Sequence, residues 1–96
     1  MCVVFEWDHR KAKSNLRKHG ISFDEAITVF DDPLATIFSD EDHSADEQRQ
    51  IIVGYSIADR LLLVSFAEAG KSKLRIISAR EATRRERQSH EAYLSS

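Results

Sequence analysis

Two arginines in apolar surroundings carry the sharpest chemical signal in this sequence of 96 residues. Arg75 sits mid-strand between Leu74 and Ile76, on the opposite face, where an arginine is kept only when it is paired or faces a ligand. Arg80 follows in Ser78-Ala79-Arg80-Glu81, an S-x-x-E capping box that predicts the first turn of a C-terminal helix. Two guanidiniums beside a helix N-terminus make a phosphate site, because the exposed N–H groups and the dipole already favour an anion. An ion pair between Arg80 and Glu47 is the plainer alternative.

Other chemistries find less support. The histidines at 9, 19, 43 and 90 show no metal-ligand spacing, and no paired-Cys or H-E-x-x-H motif occurs, so no metal site is expected. Gly20, Gly54 and Gly70 are isolated, which excludes a glycine-rich nucleotide cradle. Cys2 is the single cysteine and reads as a bystander thiol, and His43 reads as a solvated loop histidine. No cofactor is expected.

Charge is segregated along the chain. Residues 1–21 carry five Lys/Arg against two acids, residues 22–70 eleven acids against Arg49 and Arg60, and residues 71–96 seven Lys/Arg against three acids. The net charge of -2 thus hides two basic ends, a pattern associated with polyanion binding. At 11.0 kDa the chain has the length of one domain, 1–96, too short for separate cofactor and substrate lobes. Neither a signal peptide nor a membrane-spanning run is legible, and the lone cysteine suits a reducing compartment, so a soluble cytoplasmic protein is expected.

These residues need elements to position them. Val3 to Trp7 reads as a strand closed by Asp8, the N-cap of a helix from His9 to His19 that ends at Gly20. Ser22 and Glu25 form a capping box for a second helix, whose stripe is Phe23, Ala26, Ile27 and Phe30 and which stops before Pro33. Leu34 to Phe38, Arg49 to Ile57, Leu61 to Phe66 and Leu74 to Ile77 read as strands, and the helix opened at Ser78 closes the chain. The order βααββββα predicts an α+β fold: an antiparallel β-sheet with two N-terminal helices and a C-terminal helix. That last helix has little apolar surface beneath its arginines, so it is either weakly docked or works on a partner.

Several local patterns coincide with one family. Phe5-Glu6-Trp7-Asp8, Lys11, Asn15, Lys18-His19-Gly20 and Phe23-Asp24-Glu25-Ala26 resemble the N-terminal signature of the BrnT toxins of bacterial type II toxin–antitoxin systems. His43-Ser44, Glu47, Arg49, Gly54, Arg75 through Arg80, then Ala82, Thr83, Arg84, Glu86 and Tyr93 are similar to that family's second half, whereas the turn from Glu68 to Ser72 departs from it. The resemblance implies a RelE-like fold with helices on one side of the sheet, and a ribonuclease that cuts RNA and arrests growth. It also implies a BrnA-type antitoxin with a ribbon-helix-helix DNA-binding domain, a 2:2 heterotetramer, and operator DNA reached only through that antitoxin.

The chemistry compatible with both lines is metal-independent RNA cleavage, in which a 2′-OH attacks the adjacent phosphate and the protein supplies a base, an acid and cations. Arg75 and Arg80 are the expected phosphate clamps. Glu47, Arg49, Lys18, His19 and Tyr93 are candidates, through the resemblance, for proton transfer or substrate positioning. Lys11, Lys13 and Arg84 are expected to bind the RNA backbone. A non-catalytic nucleic-acid-binding or protein-interaction module is the competing class.

Overall fold

Local signals set the first third of the chain. In the computed structural model, which describes residues 3–39 and 48–95, strand β1 (Val4–Glu6) leads into helix α1 (His9–His19). The Asp8 carboxylate accepts from the Arg10 N–H at 2.7 Å, and Gly20 ends the helix in the left-handed region at φ 70°. Helix α2 (Phe23–Ala26) is capped by Ser22, whose hydroxyl accepts from the Glu25 N–H at 3.0 Å.

The second helix departs from expectation after one turn. The chain tightens into a 3-10 segment, Ile27–Asp31, so the residue that completes the buried stripe is Val29, three positions after Ala26, while Ile27 and Phe30 are only partly buried. Three residues per turn in place of 3.6 account for the shift. Asp32 then receives the N–H groups of Leu34 (3.0 Å) and Tyr55 (2.8 Å), pulling the segment against the sheet. Only glycine fits beneath it: a Cβ on Gly54 would lie 2.9 Å from the Ala35 Cβ and 3.1 Å from the Val29 Cγ1.

The remaining elements are β2 (Thr36–Ser39), β3 (Arg49–Tyr55), β4 (Leu61–Gly70), β5 (Lys73–Glu81) and α3 (Arg84–Ser95). The strands form one sheet in the order β1-β5-β4-β3-β2, antiparallel throughout except that β1 runs parallel to β5. The sequence-based β5 stops at Ile77 and opens a helix at Ser78. In the structure the strand runs on, because ten-residue β4 pairs Leu63 with Arg80 and Leu62 with Glu81. Helix α3 starts later, at a T-x-x-E box in which the Thr83 hydroxyl accepts from the Glu86 N–H (3.2 Å) and Glu86 accepts from the Thr83 N–H (2.8 Å).

One sheet face carries Ile52, Leu62, Val64, Phe66, Ile76 and Ala79 and packs on Ile21, Phe23, Ala26 and Val29. An aromatic column, Phe5–Phe30–Phe66, crosses this core with both ring separations at 5.1 Å. Glu25 joins helix to hairpin: its carboxylate accepts from the Arg60 guanidinium and from the Ser56 hydroxyl (2.6 Å). The Arg60 hydrogen bonds, helped by Ser56 and opposed by burial, hold this carboxyl below the ordinary carboxylate range. Helix α3 lies over the opposite face, where Tyr55 and His90 meet edge to face at 6.2 Å, so helices flank both sides of the sheet and not one.

Asn15 fastens α1 to the sheet. It is 5% exposed, donates from Nδ2 to the carbonyls of Ala79 (2.7 Å) and Ile21 (3.0 Å), and accepts the Ala79 N–H at Oδ1 (3.0 Å). Strand β1 covers β5 only as far as Arg75, so the side-chain amide takes the place of a strand for Ala79. Asn15→Asp deletes both donors and turns a charge toward two carbonyls. Equilibrium denaturation should show a loss of about 1–3 kcal/mol or more; an unchanged midpoint would mean the clamp contributes nothing.

Candidate functional site

The open sheet face gathers the cations. Register places Arg49, Ala67 and Arg75 in one row across β3, β4 and β5, with Leu63 and Arg80 in a second row on the same face. A regular strand would put Arg75 and Arg80, five residues apart, on opposite faces. They share a face because Ser65 pairs with Ser78 while Phe66 pairs with Ile76, which leaves Ile77 as the extra residue of a β-bulge. The two rows are four residues apart along β4, roughly 13 Å.

Arg80 belongs to a cleft of about 320 Å³ lined by His19, Arg49, Ile51, Leu63, Ser65, Ser78 and Ala79 besides Arg80 itself. His19 arrives from α1. It follows Asn15 by four residues and so shares its helix face, and the bond of Asn15 to Ala79 sets the imidazole beside the residue next to Arg80. Ser65 and Ser78 form the hydroxyl floor as a cross-strand pair. The described lining residues contribute two guanidiniums, one imidazole and two hydroxyls. That set suits an oxyanion such as a phosphodiester.

Arg80 is held from behind. Its Nη1 and Nη2 donate to Glu86 Oε1 (2.7 Å) and Oε2 (2.8 Å), and Nη1 also reaches the Glu81 carbonyl at 3.4 Å. Expectation placed Arg80 in the first turn of a helix beside an open N-terminus. The structure corrects this: Arg80 is a strand residue, and Glu86 already fills the anion position at the start of α3. Its ion-pair partner among the described residues is Glu86; Glu47, the alternative partner offered by the sequence, lies outside the described residues, as do His43 and Cys2. A guanidinium has five donors, so the Glu86 pair fixes its plane and leaves donors for a ligand.

The other candidates spread out. Arg75 shares the face but not the cleft, and its Nε donates to Glu6 Oε2 at 3.1 Å, with Lys73 3.8 Å from the same carboxylate. Lys18 and Lys11 are exposed on α1, and Arg84 is exposed at the start of α3. Lys13 lines a separate depression with Trp7 and Leu16. Tyr93 faces a larger apolar groove under α3. Ser65 was missed by sequence reasoning; its one signal is a lone hydroxyl inside Leu61-Leu62-Leu63-Val64-Ser65-Phe66. Among the described residues, no three His, Cys, Asp or Glu side chains gather as metal ligands, and no helix is long and apolar enough to cross a membrane.

The Arg80 hydrogen bonds, aided by Thr83 and opposed by burial, hold the Glu86 carboxyl down to about 2 from its ordinary 4.5. Because the folded value is depressed, the stabilisation is complete above pH 4.5 and is lost as pH falls through about 2. Carbon-detected NMR of the Glu86 carboxyl should give a midpoint near 2. A midpoint at the ordinary value would contradict the pairing.

Comparison with known proteins identifies the family. A family model described as ribonuclease toxin, BrnT, of type II toxin-antitoxin system matches residues 7–86. Among solved structures, the Brucella abortus ribonuclease toxin BrnT is 27% identical and superposes with a TM-score of 0.65, the match covering 88% of this chain and 99% of that one. No curated protein matches. With most of its length, cleft included, inside the match, the chain belongs to the BrnT family of ribonuclease toxins from type II toxin–antitoxin systems.

Proposed function

We propose that this chain is an endoribonuclease that cuts RNA without a metal ion, in the cleft between the end of α1 and the open face of the sheet. The observation that carries the proposal is the convergence of His19, Arg49 and Arg80 on one pocket with a hydroxyl floor. The scissile phosphate sits between Arg49 and Arg80. The adjacent 2′-oxygen attacks phosphorus, the bond to the 5′-oxygen breaks, and a 2′,3′-cyclic phosphate and a 5′-hydroxyl result. The 2′-OH proton leaves to a base and the 5′-oxygen receives one from an acid. Arginines stay protonated, so they serve as charge and not as bases. His19 is the proton-transfer group of the described cleft, with Glu47 and Lys18 as the remaining candidates.

The positive charge that the crowded phosphate requires comes from fixed guanidiniums. Glu86 keeps Arg80 from reorganising when that charge develops. Arg75, in the row of Arg49 but two strands away from it and outside the cleft, takes a neighbouring phosphate of the strand, and Lys11, Lys13 and Arg84 add backbone affinity that weakens with salt. Tyr93 positions the substrate from the α3 side. The family reading also proposes a cytoplasmic complex with a BrnA-type antitoxin, two copies of each, in which the ribbon-helix-helix domain of the antitoxin contacts operator DNA.

Purified chain incubated with RNA should cut equally with and without EDTA. Arg80→Ala should lower the rate about 100- to 1000-fold. Cutting abolished by EDTA would overturn the metal-free mechanism. RNA that is bound but never cut would leave a non-catalytic binding module in its place. Induced expression should arrest growth, and the product of an adjacent antitoxin gene should relieve it.

A further inference from the structure

Beside the cationic cleft lies a second, larger cavity of about 540 Å³ between α3 and the same sheet face. Phe38, Ile51, Val53 and Leu63 line it from the sheet, and His90 and Tyr93 from the helix. Ile51 and Leu63 also line the cleft of Arg49 and Arg80, so the two cavities adjoin across shared side chains. Phe38 is 51% and Tyr93 62% exposed, while His90 is 7% exposed and its Nε2, buried, has no hydrogen-bond partner among the described residues.

We infer that this groove is a nucleobase subsite, occupied by the base of a nucleotide whose phosphate lies in the adjoining cleft. This rests on the ribonuclease reading and adds what the enzyme recognises. A nucleotide has an anionic end and a flat, largely apolar end, and the two adjoining cavities divide in the same way. Two aromatic side chains, one on edge strand β2 and one on α3, offer π-faces for stacking, which accepts any base. The occupant is therefore unpaired, single-stranded RNA, since a base inside a duplex cannot enter a groove under a helix.

Fluorescence anisotropy with two probes tests this: an uncleavable 2′-O-methyl single-stranded oligonucleotide, and inorganic polyphosphate, which has no base. Phe38 is half exposed on an edge strand, so Phe38→Ala should leave the denaturation midpoint unchanged. It should weaken the oligonucleotide about 5- to 150-fold, the loss of one stacked base, while polyphosphate binds as before. Phe38→Tyr should restore the oligonucleotide. Unchanged oligonucleotide affinity in Phe38→Ala, or equal weakening of both probes, overturns the subsite while leaving wild-type cleavage, and so the ribonuclease reading, intact. Loss of antitoxin binding with RNA binding preserved would assign the groove to a protein partner and overturn it equally. A wild-type chain that neither binds nor cuts RNA removes both proposals.

Discussion

The carboxamide of Asn15, closed on both the N–H and the carbonyl of Ala79, is the contact on which the site depends. Strand β5 has an outer edge that β1 covers for only three residues, and its peptide groups beyond Arg75 need partners. One buried side chain supplies those of Ala79 and ties down the Ile21 carbonyl as well. The consequence is positional. His19 lies one helical turn beyond Asn15 and Arg80 one residue beyond Ala79, so a single bidentate hydrogen bond aligns an imidazole from the N-terminal third of the chain with a guanidinium from the C-terminal third. The two basic ends of the sequence meet at this point.

A second constraint, the bulge at Ile77, decides which side chains share the face. Without the extra residue, either Arg75 or Arg80 would point into the apolar core, where an arginine is costly unless it is paired. With it, Leu74, Ile76 and Ala79 face the core while Arg75, Ser78 and Arg80 face outward. Glu86 completes the arrangement by serving twice, as the capping residue of α3 and as the carboxylate that orients Arg80. Helix α3 is thus short of apolar surface and lightly docked, held by the half-exposed Arg80–Glu86 ion pair at its start and by His90 against Tyr55 farther along.

The parts of the fold legible in the sequence are those set by local chemistry. Asp8, Gly20 and Ser22 fix helix ends within a few residues, and the order βααββββα with its α+β architecture holds. The misreading at Ser78 has a definite cause. Ser78-Ala79-Arg80-Glu81 and Thr83-Arg84-Arg85-Glu86 satisfy the same capping pattern, and the choice between them is made by the length of β4, a non-local partner. Strand pairing also hides Ser65 from a linear reading, since its meaning arises only opposite Ser78. Arg49 and Arg80 were singled out from the sequence, yet their shared cleft follows from register and from the bulge, which alternation alone does not reveal. The resemblance to BrnT toxins named the family, and the structure shows which of the matching residues stand together.

We propose that His19 and Arg80 form one phosphate-binding unit held together through Asn15. The most direct measurement follows the His19 ring and the Arg80 Nε–H by NMR while uncleavable single-stranded RNA is added. Both signals should move along a single saturation curve. Shifts confined to Lys11 and Lys13 on α1, with His19 and Arg80 unmoved at saturation, would contradict it.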